Sequence, residues 1–365
     1  MRVKRRWLGW LLAVVLLGTQ VLAHALVDVP GAHPQFQLTG RIDFADPARP
    51  KLAWPGSSVS GTFTGSYLAI TLDDVQGRNF YNLFIDGDFS NPMVIACTQG
   101  RQTYVLNRRL KPGSHTFLLT KRTEGEEGDT FFEGVQLADG HKLLAPPPRP
   151  SRRIEFFGDS ITSGMGNEAP DEAPDDVSAQ KNQFLAYSAV TARQLGAEMH
   201  ATSQSGIGVM ASWFDFTMFD FFDQLSPSGN NTSVWDFSRW TPDVVVINLL
   251  QNDKWLIDVH HVLKPEPSQA QRVQAYVRFV KRIRATYPKA YVVCVLGSMD
   301  ATAPGSSWPA VVSEAVRQIK AENPAEKMDT LFFEFTGFGK HPRVRHHQAN
   351  ADKLTAFIKQ KMGWR

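Results

Sequence analysis

Four short stretches of this 365-residue chain hold side chains suited to acyl transfer. The first is Gly158-Asp159-Ser160, directly after the apolar run "IEFF" at 154–157. A serine hydroxyl is a poor nucleophile until a neighbouring base takes its proton. His341, in "GKHPRVRHHQ", is the candidate base, and Pro342 after it suits the first turn of a helix. Attack on an ester carbonyl builds negative charge on oxygen, and that charge needs preorganised donors. Ser160 N–H, Gly206 in "SQSGIG" and Asn252 in "NLLQND" are the candidates. A glycine lets a backbone N–H approach the substrate unobstructed, and an asparagine amide carries two donors. Taken singly, each stretch has a plainer reading. Gly-Asp-Ser is a turn or cap, Gly208 competes with Gly206 as donor, and Asn252 could cap a turn. Asp159 is read as structural, accepting N–H bonds within its loop.

These residues need a frame that brings them together from across about half the chain. Residues 154–365 alternate short apolar runs with amphipathic ones. "IEFF", "EMHATS", "DVVVINLL", "AYVVCVLG" and "TLFFEF" read as strands. "FLAYSAVTARQL", "AQRVQAYVRFVKRIRATYP", "WPAVVSEAVRQIKAEN" and the tail from about Arg345 read as helices. Such alternation predicts a parallel sheet with helices on both faces, whose sites lie at the carboxyl ends of the strands. Ser160, Gly206, Asn252 and His341 each follow one of these strands. Residues 26–145 instead show period-two runs such as "YLAITLDD", "YNLFIDGD" and "HTFLLTK", separated by Gly, Pro, Asn and Asp turns. That pattern predicts an all-β sandwich or jelly roll. The proline-dense stretch at 146–153 is the expected linker between the two.

Residues 1–25 combine a basic start, an apolar stretch and Ala23-His24-Ala25, the layout of a cleaved signal peptide. The expected product is exported, periplasmic or secreted, with no membrane insertion after cleavage. The net charge of +3 includes Arg2, Lys4, Arg5 and Arg6 of that segment, and without them it is −1. A near-neutral remainder has no electrostatic footprint for nucleic acid. Cys97 and Cys294 each sit in an apolar strand-like run and are expected as buried free thiols. No Cys/His spacing suits a metal. His346 and His347 are adjacent on a predicted helix, cannot face one ion, and are expected to be solvated, as are His260 and His261. "SWFDFTMFDFFDQL" at 212–225 is expected to be mostly core or packed loop. Trp213 and Trp255, just beyond the two donor segments, are candidate substrate contacts.

The four blocks, in this order and on strand ends, resemble those of the SGNH (GDSL-type) hydrolases. With "WPGSSVSGTFTG" and "KRTEG" in the preceding sandwich, the chain is similar to the second family of carbohydrate esterases over nearly all of residues 26–365. The resemblance implies a three-layer α/β/α SGNH domain at 154–365 behind a jelly roll. It implies hydrolysis of acetyl esters on oligo- or polysaccharides such as xylan or glucomannan, through an acetyl-enzyme, with no cofactor or metal. Ser160 would be nucleophile, His341 general base and acid, and Ser160 N–H, Gly206 N–H and Asn252 the oxyanion donors. The competing expectations are a carbohydrate-binding protein with a decayed esterase site, and a lipase- or thioesterase-like SGNH hydrolase. Two positions depart from the SGNH pattern. The aspartate usual three residues before the histidine is replaced by Phe338, as in esterases of the second family that use a backbone carbonyl instead. The glycine usual two residues before the asparagine is Leu250.

Overall fold

A computed structural model describes residues 25–227 and 232–365. The signal peptide expected at 1–25 lies, but for its last residue, outside the described residues. Among the described residues no helix is long and apolar enough to cross a membrane.

The N-terminal part is two antiparallel sheets face to face. One sheet orders Leu26–Pro30, Thr130–Ala138, Ala69–Asp74 and Gly100–Val105, with Lys51–Leu52 also paired to Thr130–Ala138. The other orders Leu143–Leu144, Ser58–Thr64, Ser114–Lys121, Phe80–Ile85 and Met93–Ala96, with Gln37–Thr39 beside Ser58–Thr64. Val59, Phe63, Phe117, Leu119, Ile70 and Leu72 point between the sheets into one apolar core. Period-two patterning produces this directly, since alternate side chains leave a strand on opposite faces. In Ala69–Asp74 the alternation is masked, because the small Ala69 and Thr71 on the outer face are buried too.

The C-terminal part is a parallel five-stranded sheet. Its strands are β1 (Arg152–Gly158), β2 (Ala197–Ser203), β3 (Val244–Asn248), β4 (Tyr291–Leu296) and β5 (Met328–Phe332), in the order β2-β1-β3-β4-β5. Helices α1 (Tyr187–Gln194) and α4 (Val344–Met362) cover one face. Helices α2 (Gln269–Thr286) and α3 (Trp308–Glu322) cover the other. The "VVVIN" of β3 is buried throughout, as a central strand covered on both faces must be.

The proline-rich stretch is not what holds the two parts together. Arg41, from the sandwich, is buried and donates to the Phe222 and Gln224 carbonyls at 2.7 and 2.9 Å and to Glu155 Oε1, in β1, at 2.8 Å. Trp54 donates to the Leu225 carbonyl at 2.7 Å and packs edge-on against Phe221. Ala53 and Trp54 therefore belong to the same apolar cluster as α2 and α3.

Cys97 and Cys294 are buried and unbridged. The expectation of solvated histidines fails at His347. It is fully buried, and its Nδ1 accepts the Tyr187 N–H at 3.1 Å where α4 packs on α1. Burial pushes its pKa down to about 3, so the ring is neutral. His346 is half-buried and caps the start of α4, its Nδ1 accepting the Arg343 N–H at 3.0 Å. Pro342 lies two residues before α4 rather than in its first turn.

Candidate active site

At the carboxyl end of β1 the chain makes a sharp turn into one helical turn, Ser160–Ser163. Asp159 caps it, its Oδ1 accepting the Ile161 N–H at 3.0 Å. A Cβ on Gly158 would lie 2.0 Å from Thr162 Oγ1, so only glycine allows this turn to close. The turn presents Ser160 Oγ to His341 Nε2 at 2.9 Å, across 181 residues of sequence.

His341 is oriented from behind by an acid. Asp175 Oδ2 is 3.2 Å from His341 Nδ1 and accepts the His341 backbone N–H at 2.7 Å. A carboxylate facing Nδ1 requires the proton there, which leaves Nε2 free to accept from Ser160. The sequence pattern pointed to no acid, because it looks three residues upstream of the histidine. Phe338, at that position, packs at a tilt against the His346 ring instead. Asp175 comes from the loop between Ser163 and α1, and "APDD" at 173–176 carries no motif that singles it out. Arg343, itself buried, donates to the Gly166 carbonyl at 2.9 Å and lies 3.4 Å from Asp175. Burial would raise the Asp175 pKa. The hydrogen bonds from the His341 ring and backbone and the Arg343 charge outweigh it, holding the carboxylate well below its usual range.

The three expected donors belong to residues that line one cleft with Ser160 Oγ. Gly206 lies in the loop after β2 with φ of +86°, in the left-handed region that favours glycine. Gly208, the rival donor, is already engaged with Ser212 Oγ at 2.8 Å. Asn252 Nδ2 donates one hydrogen to the Ile207 carbonyl at 2.9 Å, leaving the other for the cleft. Ser160, Gly206, Asn252 and His341 all line one cleft of about 460 Å³.

Two buried acids set the position of the Gly206 loop, and sequence reasoning gave neither a role. Asp253 is fully buried and accepts the N–H groups of Val209, Met210 and Ala211 at 2.5–3.1 Å. Glu124, in the sandwich stretch "KRTEG", accepts Ser205 N–H at 2.7 Å and Ser205 Oγ–H at 2.6 Å. Burial acts to raise the Glu124 pKa, but Lys181 at 3.0 Å and the Ser205 bonds win and lower it. The sandwich thus sets the geometry of the loop that carries Gly206, and Glu126 beside it lines the cleft.

Leu250 does stand where a glycine would be easy. Its φ is +83°, and its side chain is completely buried among the α2 and α3 packing. Left-handed backbone costs a non-glycine residue about 1–2 kcal/mol. Burying a leucine returns about 1.5–3 kcal/mol, which is why the turn keeps its shape without glycine.

Residues 38–147 match the family described as carbohydrate esterase 2 N-terminal, and residues 156–355 match the GDSL-like lipase/acylhydrolase family. A solved family two carbohydrate esterase from Clostridium thermocellum, in complex with cellohexaose, superposes with a TM-score of 0.81 at 32% identity, over 90% of this chain and 100% of that one. The chain belongs to carbohydrate esterase family 2.

Two further relatives extend the likeness. The cellulase/esterase CelE of Acetivibrio thermocellus is 33% identical over 341 residues, which is 91% of this chain but only 40% of that protein's length. An acetylxylan esterase/glucomannan deacetylase of Cellvibrio japonicus is 27% identical over 95% of this chain and 97% of its own.

The two tryptophans expected to touch substrate both line the cleft of this family 2 chain. Trp213 is 54% exposed and Trp255 38%. Trp255 is anchored by its indole N–H, which donates to Asp300 at 2.9 Å, and Asp300 is in turn held by Lys254 and Gln251. His260 stands edge-on to Trp213 with ring centroids 5.3 Å apart. The aromatic stretch 212–225 divides its duties. Met218, Phe221 and Phe222 enter the core, while Trp213 and Phe214 face the cleft.

Proposed function

We propose that this chain is an exported serine esterase that removes O-acetyl groups from carbohydrates of the xylan and glucomannan type. The observation that carries it is Ser160 held at 2.9 Å by His341, which Asp175 orients from behind, in a cleft lined also by Gly206, Asn252 and two exposed tryptophans. The chemistry follows from the geometry. Ser160 Oγ attacks the acetyl carbon while His341 Nε2 takes its proton. The carbonyl oxygen, now negative, is held by the N–H groups of Ser160 and Gly206 and by Asn252 Nδ2. The carbon–oxygen bond to the sugar breaks, and the proton on His341 passes to the departing sugar hydroxyl. Water then attacks the acetyl-Ser160 ester with His341 again as base, releasing acetate. Asp175 stays ionised throughout, stabilising the imidazolium without taking its proton. Trp213 and Trp255 offer flat faces to sugar rings, as aromatic rings in carbohydrate clefts do. The names of the Cellvibrio relatives support the acetyl-sugar assignment.

The test is acetate release from acetylated xylan and acetylated glucomannan, compared with p-nitrophenyl esters of increasing chain length. Release by the wild type, its loss in Ser160→Ala, and a steep preference for acetyl support the proposal. Sugar binding without turnover in the wild type would mark a binding protein. A preference for long acyl chains would mark a lipase-like hydrolase.

A further inference from the structure

A second pocket, of about 630 Å³, opens between the sandwich and the amino-terminal end of the sheet. It lies at the far end of β1 from Ser160. Arg153 and Ser160 are seven residues apart along extended chain, about 20 Å at strand rise. Nothing bound in it can share the catalytic cleft at the same sugar.

Its walls carry an excess of positive charge. Arg149, Arg153 and Arg239 line it, against a single carboxylate, Glu198. Arg149 is the one that pairs with Glu198, at 2.7 Å. Among the described residues, the Arg153 and Arg239 guanidiniums have no carboxylate within salt-bridge distance. They rest on aromatic faces instead, Arg153 on Trp240 and Arg239 on Trp235 and Phe44. Asp243, the nearby acid, accepts the Arg153 backbone N–H at 2.9 Å and not its guanidinium.

The pocket wall also holds an orphaned buried polar group. His200 is 3% exposed, stacks on Trp240 with ring centroids 3.7 Å apart, and has no partner for Nδ1. Burial, reinforced by Arg41 and the three pocket arginines, holds its pKa well below the usual value. The imidazole is therefore neutral and adds no charge of its own to that of the arginines. Guanidinium forks match carboxylates two bonds at a time. His33 and the partly exposed Phe44 add ring surface beside them.

We propose that this pocket binds the carboxylate of an acidic sugar, with Arg153 and Arg239 as its ligands. A second grip of this kind would let a uronate-bearing polysaccharide dock on one end of the molecule while an acetylated unit reaches Ser160 at the other. The choice of a sugar acid rests on the carbohydrate reading above, and the charge-recognising site does not.

Isothermal titration calorimetry on the full chain carrying Ser160→Ala tests it at low salt with digalacturonate, inorganic phosphate and xylotriose. Saturable digalacturonate binding is expected, weakened at least about tenfold in Arg153→Ala/Arg239→Ala and in Arg239→Ala alone, with Arg239→Lys between. Xylotriose binding should be indifferent to all three substitutions. The proposal is overturned if digalacturonate does not bind saturably, if its binding survives the double variant, or if phosphate binds and digalacturonate does not. The same arginine substitutions with Ser160 intact should leave p-nitrophenyl acetate hydrolysis unchanged, which guards against misfolding. Failure of the esterase reading appears separately, as absent hydrolysis by the wild type.

Discussion

Asp175 and Asp159 illustrate how two carboxylates near one serine acquire different tasks. Asp175 faces an imidazole and a guanidinium and is held ionised. Replacing it with asparagine preserves shape but presents the wrong group to Nδ1. We expect kcat on p-nitrophenyl acetate to fall by about 10²–10⁴-fold with KM little changed. Removing a single oxyanion donor with Asn252→Ala should lower kcat by about 10²–10³-fold, with the folded circular dichroism spectrum retained. Asp159 faces no cation, and burial pushes its pKa up to about 7 against the ordinary carboxylate value. A raised folded-state pKa means that its contribution to stability is complete below the unfolded value, about 3.9. That contribution is lost as pH rises through about 7. Asp175 works in the opposite sense, stabilising above its unfolded value and losing that effect as acid protonates it. Asp159→Asn keeps the cap, since asparagine caps as well as aspartate. Urea midpoints measured from about pH 4 to 7.5 should fall less steeply with pH in this variant than in the wild type.

At the scale of elements, the site depends on loops whose conformation is set by buried acids from elsewhere in the chain. The Gly206 loop has Asp253 beneath it and Glu124 beside it, one from the segment after β3 and one from the sandwich. Glu124→Gln removes the charge that grips Ser205 and leaves an amide that cannot serve the loop and Lys181 in the same way. We expect a drop in kcat of up to about 10²-fold through displacement of the Gly206 N–H. Stopped assays on p-nitrophenyl acetate would read it, and an unchanged rate would remove the sandwich from the catalytic geometry. The strands and long helices of the α/β part were legible from periodicity, since "VVVIN" and the amphipathic α2 follow from burial on two faces and on one. His347 was not. Two adjacent histidines look polar in a sequence, yet the packing of α4 on α1 buries one of them against a backbone N–H.

The molecule as a whole behaves as one packed body across its two architectures. Arg41 and Glu155 pair at 2.8 Å with both side chains essentially excluded from water. Glu155 also accepts from Thr202 and from the Tyr287 hydroxyl. Removing only the arginine strands a buried charge, so Arg41→Met should destabilise by about 3–5 kcal/mol. Replacing both partners in Arg41→Met/Glu155→Met should recover only part of that, because it leaves no charge unpaired but takes a partner from the Phe222 and Gln224 carbonyls and from the Thr202 and Tyr287 hydroxyls. Urea unfolding of the single and double variants checks both statements.

Ser160, Gly206, Asn252 and His341 were identifiable in the sequence because each sits where a strand gives way to a loop. The two-fold and 3.6-fold periods that mark those strands and helices are local properties. The alternation that forms the sandwich is local in the same sense. Asp175, Glu124 and the arginine-lined second pocket were decided only by the tertiary structure. Each acts on a group dozens to hundreds of residues away, and no local period records which distant carboxylate or guanidinium a fold will bring to a given imidazole, loop or cavity.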